Sequence, residues 1–120
     1  MKKILIVEDE PSIQEILSEF VSMLGFEPVI AVDGQMGLAK FSTEGPFVLY
    51  LLDIKIPKLN GYELARRIRE EDRERPIIFL TGLVNAETRE KIAAIPYAYY
   101  VKKPITFAEF KSILSKAGII

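Results

Sequence analysis

Five short apolar runs alternate with five stretches of helical periodicity along this chain, and turn signals separate them. The runs fall at residues 3–7 (centred on ILIV), 26–32, 48–52 (VLYLL), 77–80 (IIFL) and 97–101. A run apolar at every position, as in VLYLL, suits a strand covered on both faces, the usual state of a parallel sheet. Between the runs, Pro11 opens a helix with Ile13, Ile16, Leu17, Phe20 and Leu24 at helical spacing, and Gly25 closes it. Asp33-Gly34 turns the chain into a weaker helix through Met36, Leu38 and Phe41, which Gly45-Pro46 ends. Residues 62–72 put Leu64, Ala65 and Ile68 inward and Arg66, Arg67, Arg69, Glu70 and Glu71 outward, as a solvated charged face. A fourth helix over 85–95 is polar before it is apolar and stops at Pro96, and Thr106 caps a fifth whose stripe is Phe107, Phe110, Leu114 and Ala117. This alternation predicts an α/β fold with a doubly wound five-stranded parallel sheet, in one domain spanning 1–120.

Right-handed crossovers bring the carboxyl ends of such strands to one edge, where open parallel sheets hold their ligands. The ends of strands one, three, four and five carry Glu8 and Asp9, Asp53, Thr81 and Gly82, and Lys103. Taken singly, each has a plain reading: the acids cap helices or start turns, and Thr81 and Gly82 end a strand. Taken together they differ, because three carboxylates in one crevice repel each other unless a cation is present. Thr81 and Gly82 offer a phosphate a hydroxyl and an approachable amide, and Lys103, stiffened by Pro104, adds a positive charge.

Composition narrows the classes. The 120 residues are 49% hydrophobic and carry net charge −1, which leaves no general electrostatic footprint for nucleic acid or an anionic membrane. With no cysteine there is no disulfide, thiolate nucleophile or zinc thiolate site. The apolar stretch after Lys2-Lys3 ends at Glu8, too soon for a signal-peptide core or a membrane span, so the expected location is cytoplasmic.

The acidic pair in LIVEDE, the LLDIKIPKLNG block, the LTG ending strand four and the KKP before the last helix, in this order and spacing, resemble the receiver domains of two-component response regulators. The likeness covers residues 3–117. It implies the flavodoxin-like strand order 2-1-3-4-5. It implies further that Asp53 is the phosphoryl acceptor and that Mg²⁺, or Mn²⁺ in its place, is held by Asp9, Asp53 and the backbone carbonyl of Lys55, with Glu8 acting through a water. Thr81 and the Gly82 amide would grip the transferred group, Lys103 would pair with it, and Tyr100 would be the aromatic switch that follows Thr81. The Lys103-Pro104 bond is expected to be cis. The implied donor is a sensor histidine kinase or histidine phosphotransfer domain, or a small acyl phosphate. This chain has no histidine of its own to present a phosphoryl group. The implied output is an effector docking on the helix 4, strand 5 and helix 5 face. Such a domain signals rather than catalyses, apart from slow self-phosphorylation and self-dephosphorylation.

Several positions depart from the family pattern. Glu8 replaces the commoner Asp, Pro96-Tyr97 stands where Gly-Ala is usual, Phe47 replaces Asp and Ile105 replaces Phe. Lys55 and Leu83 take positions that tune dephosphorylation. A phosphorylation-independent interaction module of the same fold is the competing reading, and the intact Asp9, Asp53, Thr81 and Lys103 set argues against it. An aspartate-nucleophile phosphatase would want a second acid two residues after Asp53, where Lys55 stands.

Overall fold

The computed structural model describes residues 1–120. The elements alternate as β1 (Lys3–Val7), α1 (Pro11–Met23), β2 (Glu27–Ala31), α2 (Gly34–Glu44), β3 (Phe47–Asp53), α3 (Gly61–Glu71), β4 (Ile77–Thr81), α4 (Ala86–Ala93), β5 (Ala98–Lys102) and α5 (Phe107–Lys116). All four strand pairings are parallel and the order is β2-β1-β3-β4-β5, the expected flavodoxin-like sheet. The direction of winding reverses between β1 and β3. A crevice opens there beyond the strands' carboxyl ends.

Period-two alternation divides the core between the two faces of the sheet. Ile4, Ile6, Leu49, Leu51, Ile78 and Leu80 point to the side where Leu17 and Val21 of α1 and Phe110, Ile113 and Leu114 of α5 pack. Leu5, Val7, Tyr50, Leu52, Ile77 and Phe79 point to the other, against Leu64, Ala65 and Ile68 of α3 and Ile92 of α4. The middle strands are therefore apolar throughout, as the sequence pattern requires. Helix starts are set by side-chain caps: Asp33, Asn60, Asn85 and Thr106 each accept from the backbone N–H three residues on. Thr106 completes a capping box with Glu109. Lys103-Pro104 is cis, and so is Gly45-Pro46.

Four local expectations change. Ile16 lies outside the α1 stripe, at 44% exposure, and Val21 fills the core in its place. Strand three begins a residue early, with Phe47 buried. Strand five starts at Ala98 rather than at residue 97, because Tyr97 turns to φ 55. The α4–β5 turn contains no glycine, so the left-handed conformation falls to Tyr97, a residue that carries a β-carbon.

The largest change concerns Arg69, which is not part of a solvated face. Its Nε donates to the Pro96 carbonyl (2.9 Å), Nη1 to Asp72 (2.7 Å) and Nη2 to Arg75 (2.7 Å) and Tyr97 (3.4 Å). Burial among these carbonyls pulls its pKa down. Beside it, the Asp72 carboxylate accepts the Tyr50 hydroxyl (2.6 Å) and the Glu74 and Arg75 amides. Burial, reinforced by Asp72, holds the Tyr50 hydroxyl well above its ordinary pKa.

Candidate functional site

The crevice beyond β1, β3, β4 and β5 is an acidic cleft of about 420 Å³ lined by Asp9, Glu10, Asp53, Ile54, Lys55, Thr81, Gly82, Leu83 and Lys103. Asp53 is the last residue of β3 and is almost wholly buried. Its position depends on the loop behind it. The Gly61 amide returns to the Ile54 carbonyl (3.0 Å), and a β-carbon on Gly61 would overlap the Asp53 carbonyl oxygen. Further along, the Leu59 amide bonds back to the Pro57 carbonyl (2.8 Å) around Lys58 at φ 70, a γ-turn. Pro57 also accepts from the Gly34 amide (3.2 Å), and Lys58 reaches Asp33 at 3.6 Å. The loop is thus strapped to the start of α2.

Ligand oxygens of Glu8, Asp9 and Asp53 lie within 4.8 Å of one another. Lys103 Nζ is 2.9 Å from both Glu8 Oε2 and Asp53 Oδ2. Asp53 Oδ1 accepts the Lys55 amide at 3.2 Å. Glu8 is fully buried, its Oε1 accepting the Glu10 amide and its own carbonyl held by the Gln14 side chain (2.7 Å), while Asp9 is exposed. Burial and the neighbouring Asp53 charge push the Glu8 carboxyl up to about 7, against the pull of Lys103. Burial opposes the Lys103 charge too, but its bonds to Asp53 and Glu8 outweigh that and hold its pKa above the ordinary lysine value.

Glu8, Asp9, Asp53 and Lys103 therefore come together from three strand ends. Thr81 lines the same cleft, but its hydroxyl donates to the Leu83 carbonyl (2.7 Å) and accepts the Leu83 amide (3.1 Å) rather than reaching Asp53. Gly82 presents an open backbone, with nothing within 4 Å of where a β-carbon would sit. Tyr100 stands apart, 37% exposed, beside Arg89, Ile92, Ala93, Ile113 and Lys116 on the α4, β5 and α5 face. Sequence reasoning missed Gln14 and the Leu83 backbone. Both act through bonds to main-chain atoms that no motif encodes.

A sequence profile of the response regulator receiver domain matches residues 4–115. The chain belongs to that family. It is 40% identical over 111 residues, 92% of the chain, to the probable transcriptional regulator ycf27 of Cyanophora paradoxa, and 35% identical over 107 residues to the transcriptional regulatory protein TrcR of Mycobacterium tuberculosis. This receiver domain spans 46% and 41% of those two relatives. Among solved structures, it matches the chemotaxis protein CheY4 of Vibrio cholerae with a TM-score of 0.90 at 26% identity, covering 98% of both chains. It also matches the response regulator TrrA of Thermotoga maritima, solved in complex with Mg²⁺-BeF, with a TM-score of 0.84 at 36% identity, covering 98% of this chain and 99% of that one. No helix of the receiver is long and apolar enough to cross a membrane.

The buried Glu8 gives the metal-free receiver an expected pH signature. A carboxyl whose pKa rises from 4.5 unfolded to about 7 folded holds its proton more tightly in the folded chain. Its contribution to stability therefore falls as pH rises across that interval and is level above it, by on the order of 3 kcal/mol. Urea melts between these limits should show the decline in the wild type, and Glu8→Gln should flatten it.

Proposed function

We propose that this chain is the phosphoacceptor of a two-component relay, taking a phosphoryl group onto Asp53 from the phosphohistidine of a kinase or phosphotransfer domain. The observation that carries the reading is the placement of Asp53 between a lysine ammonium at 2.9 Å and two further carboxylates whose oxygens lie within 4.8 Å of its own. A fold kept only for packing would gain nothing from burying like charges together.

The donor set suits Mg²⁺. It is all oxygen, open on one side to water, and spaced near the roughly 4 Å across an Mg²⁺ coordination shell. Asp9, Asp53 and the Lys55 carbonyl would hold the ion, with Glu8 behind a water. Bound there, it would neutralise charge on the transferring phosphoryl group. The chain's own residues do the rest. One Asp53 oxygen attacks phosphorus in line, the P–N bond of the donor breaks with its electron pair going to the imidazole, and the new P–O bond leaves an acyl phosphate. Lys103, already bonded to Asp53, shifts its charge onto the phosphoryl oxygens, and the Gly82 amide is free to donate to them.

The product places about −1.5 to −2 charges in the cleft and draws in the Thr81 hydroxyl, which must leave Leu83 to respond. That movement frees space for Tyr100 to turn inward and alters the α4, β5 and α5 face, where an effector would read the change. The reading places the domain in the cytoplasm.

The test is mass spectrometry after incubation with Mg²⁺ and acetyl phosphate. One phosphoryl adduct on the wild type, absent without Mg²⁺ and absent in Asp53→Asn, is the expected result. An adduct that survives Asp53→Asn would overturn the assignment.

A further inference from the structure

Arg69 lies at the opposite end of the sheet from the acidic cleft, and its four carbonyl partners come from two separate loops. Asp72 and Arg75 belong to the segment that feeds β4, and Pro96 and Tyr97 to the turn that feeds β5. No carboxylate lies within ion-pair distance of its guanidinium, so its hydrogen bonds all go to carbonyls, with the Asp72 charge nearby but not in contact. A lysine cannot replace such a fork, because one ammonium does not span two loops in a plane. The turn it holds is costly. Tyr97 sits at φ 55, where a β-carbon crowds the backbone, and its carbonyl also accepts the Ile77 amide at 3.0 Å. Three residues along β5 lies Tyr100, exposed in this state, in which the Thr81 hydroxyl is bonded to Leu83.

We infer that Arg69 is a positioning residue that holds the α4–β5 turn in the resting geometry and thereby sets how readily the receiver adopts its switched state. Bonds of 2.7–2.9 Å to both loops tolerate little relative movement. A shift of α4 and β5 must stretch them, so they stabilise the resting state over the switched one. The inference rests on the proposed phosphoacceptor role, because the switched state is the one that phosphorylation favours.

The probe is Mg²⁺ with beryllofluoride, a phosphoryl mimic that binds the switched state, followed by fluorine NMR titration. A ligand that selects a minor state binds more tightly once the competing state is weakened. Arg69→Lys, which keeps the charge and loses the fork, should bind the mimic about three- to tenfold more tightly while melting at a lower temperature. Tyr97→Gly, which removes the backbone cost of the resting turn, should bind it more weakly. A purely structural Arg69 would lower the melting temperature and leave the affinity alone. Unchanged or weaker binding by Arg69→Lys overturns the inference; should that variant fail to fold, unchanged or tighter binding by Tyr97→Gly overturns it. If the wild type itself fails to bind the mimic at Asp53, with Asp53→Asn as the reference, the phosphoacceptor role falls and the inference falls with it.

Discussion

Lys103→Met should cost the metal-free domain about 3 kcal/mol at pH 8 and about 1 kcal/mol or less at pH 5. Methionine keeps most of the side-chain volume and removes the only cation within ion-pair reach of Glu8 and Asp53, which are fully and almost fully buried. An uncompensated buried charge is expensive, and the chain can escape the cost only by protonating a carboxyl. Glu8 is already poised to do so, since burial has pushed it to about 7. The sign of the pH dependence follows. At low pH the proton replaces the lost ammonium, whereas at high pH nothing does. Lys103 itself sets no slope across this range, because its folded pKa is raised above 10.5 and the wild type keeps its charge. Divalent metal should reverse the defect. With the ammonium gone, Mg²⁺ meets three carboxylates without a competing cation, so Mg²⁺ should bind Lys103→Met more tightly than wild type and restore much of its stability. Urea melts at both pH values, with and without Mg²⁺, check this; an equal loss at both would mean that Lys103 acts through packing instead.

Gly61→Ala is expected to destabilise by about 3 kcal/mol and to weaken Mg²⁺ binding as well. The added carbon would overlap the Asp53 carbonyl oxygen and come within 2.9 Å of the Ile54 α-carbon, both of them backbone atoms that cannot rotate away. Relief requires pushing the end of β3 out of register with β4, which moves the carboxylate itself. Gly82→Ala provides the contrast. Its new carbon meets nothing within 4 Å, and its stability should stay within about 0.5 kcal/mol of wild type. Thermal melts together with a Mg²⁺ titration separate the two effects, since a loop defect without displacement of Asp53 would lower the melting temperature alone.

The fold was readable from pattern because the strands are short, apolar and separated by strong turn signals, and because strand ends in a parallel sheet converge. Glu8, Asp9, Asp53 and Lys103 could be brought together on paper for that reason. Arg69 could not. Helical spacing sets it beside Ile68 and among the exposed charges Arg66, Arg67, Glu70 and Glu71, and the carbonyls that claim it belong to loops whose path no periodicity describes. The division of labour between Glu8 and Asp9 was equally hidden, since adjacent acids look alike in a sequence. Only the packing of α1 and Gln14 shows that Glu8 is the buried one. Tyr97 opens the apolar run that predicts strand five, but pattern alone does not show that, directly after Pro96, it turns to φ 55, a conformation normally left to glycine.

Strand β3 carries Asp53 at its carboxyl end and, about 10 Å back along the same extended backbone, Tyr50 anchored to Asp72 at its middle. A beam gripped at mid-length and flanked by neighbours on both edges cannot slide lengthwise to accommodate a new substituent at its tip. Whatever strain arrives at that tip must spread sideways, into the short segments leaving β4 and β5, and the most adaptable parts of the molecule are therefore those placed to carry news of the event to its exterior.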